Sequence, residues 1–474
     1  MPKYFGTDGV RGVANGDLTP ELAFAIGRAG AAVIAYAQAI EKPIVVGRDT
    51  RLSGPMLEGA IVAGITSTGR NVIQLGIVPT PAVASITAGI EAAAGVVISA
   101  SHNPIEDNGI KFFGADGFKL SDAVESEIEA LLDAPKLPRP TGLGIGVVTP
   151  TRGLIDNWFA KLVAAGADLH GTTVVVDAAF GAAYLVGPKI FERLGARVVA
   201  LHAQDDGSRI NVDCGATDLR ALQTRVREEI ARTAGPVVGV AFDGDADRAL
   251  FVDERGEILD GDRAMLILAR DLHARGELTG DTVVGTVMAN MGFEVALAQA
   301  GIALLRAAVG DRYVLEALRA GGYRFGGEQS GHVIDLARGT TGDGPMTAVA
   351  LLAVAARTRT PLWELAAGLE VYPQVLLNVR VADKGVAEHP AVRAAVASAE
   401  HDLAGEGRIL VRASGTEPLV RVMVESRDDA RTQAVAASLA RTIRAAAGPL
   451  PGILYDDLPG PGGEGKPERL SPPM

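Results

Sequence analysis

The sequence predicts an α/β protein: three related α/β domains with mixed sheets flanked by helices, then a C-terminal α+β domain, arranged around a central cleft. Three observations predict it. At 474 residues the chain exceeds one core, since a domain usually takes about 100–200 residues. Its 48% hydrophobic content with 58 Gly and only 4% aromatics suits an Ala/Val/Gly-rich α/β chain rather than a fibrous or disordered one. Finally, a strand–helix–strand layout recurs three times, each time ending its last strand in a polar loop. Sequence identity between the three units is negligible, so the repeat rests on pattern alone.

The first unit, placed at 1–150, opens with the glycine-punctuated Tyr4-Phe-Gly-Thr-Asp-Gly-Val-Arg-Gly12, carrying Asp8 and Arg11. Pro43-Ile-Val-Val-Gly-Arg-Asp49 reads as a strand. A helix should start at Ser53, with Pro55 in its first turn; Leu57, Ala60, Ile61, Gly64 and Ile65 recur at helical spacing, and Gly69 fits the stop. The key stretch is Gly95-Val-Val-Ile-Ser-Ala-Ser101-His-Asn-Pro104. Its β-branched run fits a buried strand and Asn103-Pro104 ends it, so Ser101 arrives at a strand end, where open α/β sheets bind ligands.

The second unit, at 151–253, pairs the strand Thr173-Val-Val-Val-Asp177 with a helix from Val186 to Leu194 and the strand Val237-Val-Gly-Val-Ala-Phe-Asp243. The third, at 254–371, has the strand Thr282-Val-Val-Gly-Thr286, a helix reaching Gln299, and Tyr323-Arg-Phe-Gly-Gly-Glu328. The fourth region, 372–447, shows strands at Val375–Val381, around Ile409 and around Val422, and a last helix striped by Val435, Leu439 and Ile443. From Gly448 to Met474, 27 residues hold 7 Pro and 6 Gly, which predicts a disordered or loosely docked tail.

Charge narrows the partners. With 45 basic and 57 acidic residues the chain carries −12, which argues against nucleic acid or a membrane surface as partner. An anionic substrate would need a local basic pocket. The single cysteine, Cys214, excludes a disulfide framework and reads as a small filler. No signal pattern opens the chain and no run approaches the ~20 apolar residues of a membrane span, so a cytoplasmic protein is expected.

Three loops besides that of Ser101 carry chemistry. In Asp243-Gly-Asp-Ala-Asp-Arg248, three carboxylates at alternate positions after a strand would repel one another unless a cation sits among them, and hard oxygen ligands suit Mg²⁺. Arg248 beside them suits a phosphate. Gly326-Gly-Glu-Gln-Ser-Gly-His332 sets a carboxylate, an amide, a hydroxyl and an imidazole between glycines, a set able to hydrogen-bond vicinal sugar hydroxyls. Arg412-Ala-Ser-Gly-Thr-Glu-Pro418, with Arg421, combines guanidinium groups, hydroxyls and a glycine turn fit for a phosphate dianion.

In this order, the four loops resemble the signature loops of the α-D-phosphohexomutases. The opening motif, Asp107-Asn-Gly-Ile-Lys-Phe-Phe113, Val309-Gly-Asp-Arg-Tyr-Val314 and Thr340-Thr-Gly-Asp-Gly344 are similar to the glucosamine-phosphate branch of that family, and the resemblance spans about residues 3–447. It implies a heart-shaped, four-domain enzyme of the isomerase class, interconverting glucosamine 6-phosphate and glucosamine 1-phosphate on the bacterial route to UDP-N-acetylglucosamine and the cell wall. The resemblance maps a phosphoserine to Ser101, and the ligands of one Mg²⁺ to Asp243, Asp245, Asp247 and a Ser101 phosphate oxygen. It maps the sugar loop to Glu328 and Ser330, and a distal phosphate site to Arg412, Ser414, Gly415, Thr416 and Arg421. Arg11, Lys111 and Arg248 would neutralise the transferring phosphoryl group, and Lys111, His102 or His332 would give acid/base help, with no choice among the three.

The resemblance further implies glucosamine 1,6-bisphosphate or a similar primer, a homodimer, and charging of Ser101 by a kinase or by autophosphorylation. One departure from the family pattern is Ala246 in place of a usual glycine, tolerable if that position avoids positive φ. Asp177-Ala-Ala-Phe-Gly181 and Arg209 also depart, and bear on substrate preference. Two alternatives stand beside this reading. A phosphomannomutase or phosphoglucomutase would share every catalytic part, although Gln329 favours the amino sugar. A non-catalytic phosphosugar-binding protein would be expected to lose Ser101 or a metal-loop aspartate, and neither is lost.

Overall fold

The computed structural model describes residues 4–6, 8–37, 41–132, 137, 139–151, 153–403, 405–414 and 418–448. The expected tail beyond Gly448, and Gly415 and Thr416, lie outside them.

The first sheet has seven strands in the order Phe5–Gly6, Gly9–Val13, Asp107–Gly114, Ala94–Ile98, Ile44–Arg48, Val72–Ile77, Val148–Pro150. Ala94–Ile98 is buried along its whole length, which explains its unbroken apolar run. It pairs in parallel with Ile44–Arg48 and antiparallel with Asp107–Gly114, so the strand that ends next to Ser101 sits in the middle of a mixed sheet. The helix Gly54–Thr66 follows Ser53, as the spacing predicts, with proline in its first turn. The Ser53 hydroxyl does not cap it and accepts instead from Asn108 Nδ2 at 2.9 Å. This helix packs tightly on Pro20–Ala37 because Gly64 lacks a side chain: a Cβ there would lie 2.2 Å from the Phe24 carbonyl oxygen.

The second sheet runs Ile258–Leu259, Ala249–Val252, Val237–Phe242, Thr173–Asp177, Arg197–Leu201, and the third Ala303–Ala307, Thr282–Thr286, Phe325–Gly327, Val333–Asp335. Each again has a parallel centre and an antiparallel edge: Val237–Phe242 is parallel to Thr173–Asp177 and antiparallel to Ala249–Val252, and Phe325–Gly327 is parallel to Thr282–Thr286 and antiparallel to Val333–Asp335. That shared plan is the repeat legible in the sequence. Short antiparallel returns matter for the site, because each re-enters its sheet immediately after a polar loop.

The described residues form two compact units. One runs up to Met288 and includes Ala300–Ala367; the other joins Ala289–Gln299 to the chain from Gly368 on. In the second unit three antiparallel strands, Gln374–Arg380, Leu419–Ser426 and Gly407–Ala413, lie in that order, packed by Pro390–Leu403 and Asp429–Ala447. Leu439 and Ile443 are buried there and Val435 is half-buried against them. Asp428 caps the last helix by accepting from the Arg431 amide at 2.9 Å. The helix Met291–Gln299 belongs to this unit through Met291 N, which donates to Glu425 Oε1 at 2.8 Å, and through Asn290, whose side chain satisfies both backbone groups of Tyr372 at 3.0 Å each.

Candidate active site

Ser101 follows its strand with φ +54°, a left-handed conformation that a non-glycine residue adopts only when its surroundings enforce it. The enforcement is visible. Its amide donates to Ser99 Oγ at 2.9 Å, and its carbonyl accepts from Arg51 Nη2 at 2.9 Å and Asn211 Nδ2 at 2.8 Å. Arg51 is fully buried and also donates to the carbonyls of Asn103 at 2.8 Å, Asp107 at 3.0 Å and Pro104, while its Nε pairs with Asp49 at 3.0 Å. A planar guanidinium fork thus ties down the loop. Thus aimed, Ser101 Oγ donates to Asp243 Oδ2 at 2.6 Å, across to the second sheet. Gly244 permits the approach, since a Cβ there would lie 2.5 Å from the Ser101 carbonyl oxygen.

Asp243, Asp245 and Asp247 converge, each offering a carboxylate oxygen within 4.8 Å of the others. All three are buried, so their mutual repulsion is scarcely screened. Burial, then the charges of Asp247 and Asp245, pushes Asp243 well above the usual carboxylate range. Burial and Asp245 push Asp247 up as well. For Asp245 burial works the same way, but Lys111 and a hydrogen bond from Thr80 Oγ1, 2.7 Å from its Oδ2, outweigh it and hold it low. Asp245 Oδ1 and Asp247 Oδ1 are buried with no hydrogen-bond partner, a costly state for a carboxylate. Three oxygen-only ligands with two unused lone-pair sites fit a hard divalent cation such as Mg²⁺.

The expectation for Ala246 is corrected: it has φ +58°. The strained conformation is held from both sides, its amide donating to the Asp243 carbonyl at 3.1 Å and its carbonyl accepting from the Gly344 amide at 3.1 Å, with the side chain fully buried. The two bonds pin the backbone whether or not the residue is glycine.

Cations surround the three aspartates. Lys111 lies 3.2 Å from Asp245 Oδ2, 2.9 Å from Asp8 Oδ2 and 3.8 Å from Asp247 Oδ2. Burial opposes its charge, but Asp245, Asp8 and Asp247 overcome that and raise it above the usual lysine range. Arg11 pairs with Asp8 and donates from Nη1 to Asn103 Oδ1 at 3.2 Å. Arg248 is held 3.9 Å from Asp247 Oδ1. His102 is exposed to solvent yet crowded by Arg248, Arg11 and Lys111; desolvation first and those charges second push it down to about 3.

The first three sheets send loops to one cleft of about 370 Å³, lined by Arg11, Ser101, Arg248, Asp311, Glu328 and His332 among others. Glu328 is positioned by its Oε1, which accepts from the Gly310 amide at 3.0 Å. Ser330 Oγ is buried without a partner, as are both ring nitrogens of His332, whose Nε2 stands 3.6 Å from Asp311 and 3.8 Å from Asp247. Of the two, His332 lines the cleft, and its unpartnered ring nitrogens are able to hydrogen-bond a ligand there. In the other unit Arg412 and Arg421 face each other across neighbouring strands. The buried Ser414 next to them has its carbonyl tied to Lys384 Nζ at 2.9 Å.

Several residues here escaped sequence reasoning. Asp8 joins Arg11, Lys111 and Lys119, and Lys119 joins Asp8 to Asp311. Burial would raise Asp8, but those three cations hold it well below its usual value. Asp311, opposed in the same way by burial, is drawn down to about 2 by Lys119 and then His332. Thr80, Asn211 and Lys384 were missed as well. None stands in a motif that marks it; only the Asp8 turn and the Val309–Val314 stretch hinted at their members.

Family models match four consecutive regions: phosphoglucomutase/phosphomannomutase alpha/beta/alpha domain I over residues 2–139, domain II over 157–256, domain III over 260–372 and the C-terminal domain over 376–442. Fold and site together define a phosphohexomutase, an intramolecular phosphotransferase of the isomerase class. The chain is 53% identical over 448 residues, 94% of its length and 99% of the relative's, to the phosphoglucosamine mutase of Symbiobacterium thermophilum. Two solved structures share its fold. One is a phosphoglucomutase/phosphomannomutase family protein of Burkholderia thailandensis, 26% identical, with TM-score 0.78 and coverage of 94% and 98% of the two chains. The other is the N-acetylphosphoglucosamine mutase of Aspergillus fumigatus in complex with GlcNAc-6P and magnesium, 18% identical, with TM-score 0.66 and coverage of 94% and 96%. The chain belongs to the phosphoglucosamine mutase family.

Proposed function

We propose that this chain interconverts glucosamine 6-phosphate and glucosamine 1-phosphate in the cytoplasm through a phosphorylated Ser101 and a bisphosphorylated sugar. The observation that carries the reading is the placement of Ser101: a strained, buried serine 2.6 Å from one of three clustered aspartates, on a cleft also lined by Arg11, Arg248, Glu328 and His332. Phosphoryl transfer needs in-line positioning and neutralisation of spreading negative charge. Asp243, Asp245 and Asp247 would hold Mg²⁺, which supplies positive charge opposite the phosphoryl oxygens when bound.

The chain's own residues do the rest. Arg11, Lys111 and Arg248 face the phosphoryl group with fixed positive charge. Glu328 and Ser330 hold sugar hydroxyls, and His332 Nε2 takes or returns the proton of the attacking hydroxyl. Arg412, Ser414 and Arg421, with Gly415 and Thr416, hold the substrate's other phosphate. After the first transfer the sugar carries two phosphates; it turns over so that the second faces the free Ser101 hydroxyl, which accepts it and restores the phosphoserine. A bisphosphorylated sugar such as glucosamine 1,6-bisphosphate can therefore prime the enzyme.

The test is the intact mass and phosphosite map of purified protein before and after incubation with Mg²⁺ and glucosamine 1,6-bisphosphate. One phosphate gained at Ser101, and none in Ser101→Ala, is expected. Turnover should be fastest on glucosamine 1-phosphate among the glucosamine, glucose and mannose 1-phosphates. A wild type that binds the sugar phosphate but never carries phosphate on Ser101 overturns the mechanism.

A further inference from the structure

Outside the cleft, a second set of metal-ligating side chains converges from three segments. Asp177 ends the strand Thr173–Asp177, His202 follows the strand Arg197–Leu201, and Cys214 precedes the short turn Gly215–Thr217. One ligand atom from each lies within 4.8 Å of the others. Asp177 and Cys214 are fully buried, while the His202 side chain keeps 26% of its surface exposed and leaves a path from solvent.

We infer that Asp177, His202 and Cys214 form a structural site for a soft or borderline divalent transition ion, of which Zn²⁺ is the natural occupant, distinct from the aspartate loop. The donor set carries the choice of metal. One carboxylate oxygen, one imidazole nitrogen and one sulfur suit zinc, whereas the oxygen-only set at Asp243, Asp245 and Asp247 suits Mg²⁺. The dimensions suit it too. A tetrahedral zinc with ordinary bond lengths places its N and O ligands about 3.3 Å apart and its sulfur about 3.6 Å from either. His202 Nδ1 and Asp177 Oδ2 stand 3.0 Å apart, and the sulfur must close by at most about 1.2 Å from the 4.8 Å limit to reach the geometry.

Electrostatics points the same way. Burial, then the carboxylates of Asp177, Asp213 and Asp218, pushes the Cys214 thiol up to about 12. The three carboxylates also attract a cation, and a coordinated divalent ion would offset the cost of forming the thiolate. On binding, the thiol proton leaves to solvent, His202 carries its one ring proton on Nε2 so that Nδ1 is free to ligate, and a water can complete the coordination. The surrounding backbone gives the ion something to do. Ala179, Phe180, His202, Asn211 and Asp213, none of them glycine, all have positive φ, a costly conformation that needs external support. The same loops brace the catalytic serine, since Asn211 Nδ2 donates to the Ser101 carbonyl at 2.8 Å and Thr50 Oγ1 donates to the Phe180 carbonyl at 2.5 Å. An ion linking the three segments would hold that brace.

The test uses purified full-length protein stripped with a chelator and titrated with Co²⁺. Cys214 is the chain's only cysteine, so a thiolate-to-cobalt charge-transfer band in the near ultraviolet reports this site alone, and cobalt in the aspartate loop gives none. The expected result is a band saturating at one ion per chain, displaced by Zn²⁺ and not by excess Mg²⁺. It should be absent in Cys214→Ser and require at least about tenfold more Co²⁺ in His202→Asn. No band in folded wild-type protein at excess Co²⁺ overturns the site, as does an unchanged titration in His202→Asn. The wild-type arm decides even where a variant fails to fold.

Discussion

Arg51→Lys keeps a positive charge beside Asp49 but removes the fork that holds the Ser101 loop. In the native site Nη2 alone donates to the Ser101 carbonyl at 2.9 Å and to the Asn103 carbonyl at 2.8 Å. A shorter-reaching point ammonium can keep the pair with Asp49 but cannot span to both carbonyls. Hydrogen bonds to a charged donor contribute about 1.5–3 kcal/mol each. With both lost and water partly replacing them, the loop forfeits about 3 kcal/mol of positioning, and at about 1.4 kcal/mol per tenfold that is roughly a hundredfold in rate. Steady-state turnover of glucosamine 1-phosphate with saturating Mg²⁺ should therefore show kcat down about a hundredfold and KM within a few fold, because the side chains proposed to bind the substrate are untouched. Circular dichroism should stay native, as the charge facing Asp49 remains. A kcat within threefold of wild type would refute the claim that Arg51 sets the serine's position.

Two further predictions concern metal affinity and pH. Thr80→Val removes the hydroxyl that donates to Asp245 Oδ2 at 2.7 Å while keeping the Thr80 amide bond to the Asp245 carbonyl at 2.9 Å. Losing such a ligand-orienting partner should weaken Mg²⁺ binding about tenfold or more by calorimetric titration, and an unchanged affinity would show that the hydroxyl does not orient the ligand. Asp343 caps the helix Gly344–Thr358, accepting from the Met346 amide at 2.8 Å, and burial pushes its carboxyl from 3.8 up to about 6. A raised carboxyl favours the folded state only while protonated, so its contribution is present below about pH 4 and lost as pH rises through about 6. The cost above that range is at most about 3 kcal/mol. Asp343→Asn keeps a neutral capping oxygen and should gain more over wild type in melting temperature at pH 8 than at pH 5. An equal gain at both would remove Asp343 as the titrating group.

What the sequence disclosed and what it hid divide by the range of the interaction. Ser101 was legible because a β-branched run ends in Ser-His-Asn-Pro, a local pattern that dictates a strand and its stop. The aspartate loop was legible because three carboxylates at alternate positions directly after a buried strand are brought together by the local chain, as they are here within 4.8 Å. Thr80 was invisible because its role is a bond to a residue 165 positions away, and Lys119 because its partner Asp311 is 192 positions away. No local pattern marks such pairs; the packing of one sheet's loops on another creates them. Ala246 misled for a related reason. Its local preference against positive φ is real, but two backbone bonds and complete burial override it, so propensity failed where the fold over-determines the backbone.

The same long-range contacts narrow a choice that the sequence left open among Lys111, His102 and His332. A general base must release its proton and take one within the operating range. Lys111 is locked in its charged form by Asp245, Asp8 and Asp247, so it can stabilise charge but not accept a proton. His102 has the opposite defect, because desolvation by its crowded surroundings and then the charges of Arg248, Arg11 and Lys111 push it down to about 3. It would be too weak a base. His332 lines the cleft with both ring nitrogens free of hydrogen-bond partners, its Nε2 3.8 Å from Asp247 and 3.6 Å from Asp311. Proton transfer is therefore proposed for His332. The arrangement also reconciles a −12 chain with the proposed anionic substrate: Lys111 is buried, Arg11 and Arg248 are partly exposed, and each stands beside an aspartate, Asp245, Asp8 and Asp247 respectively.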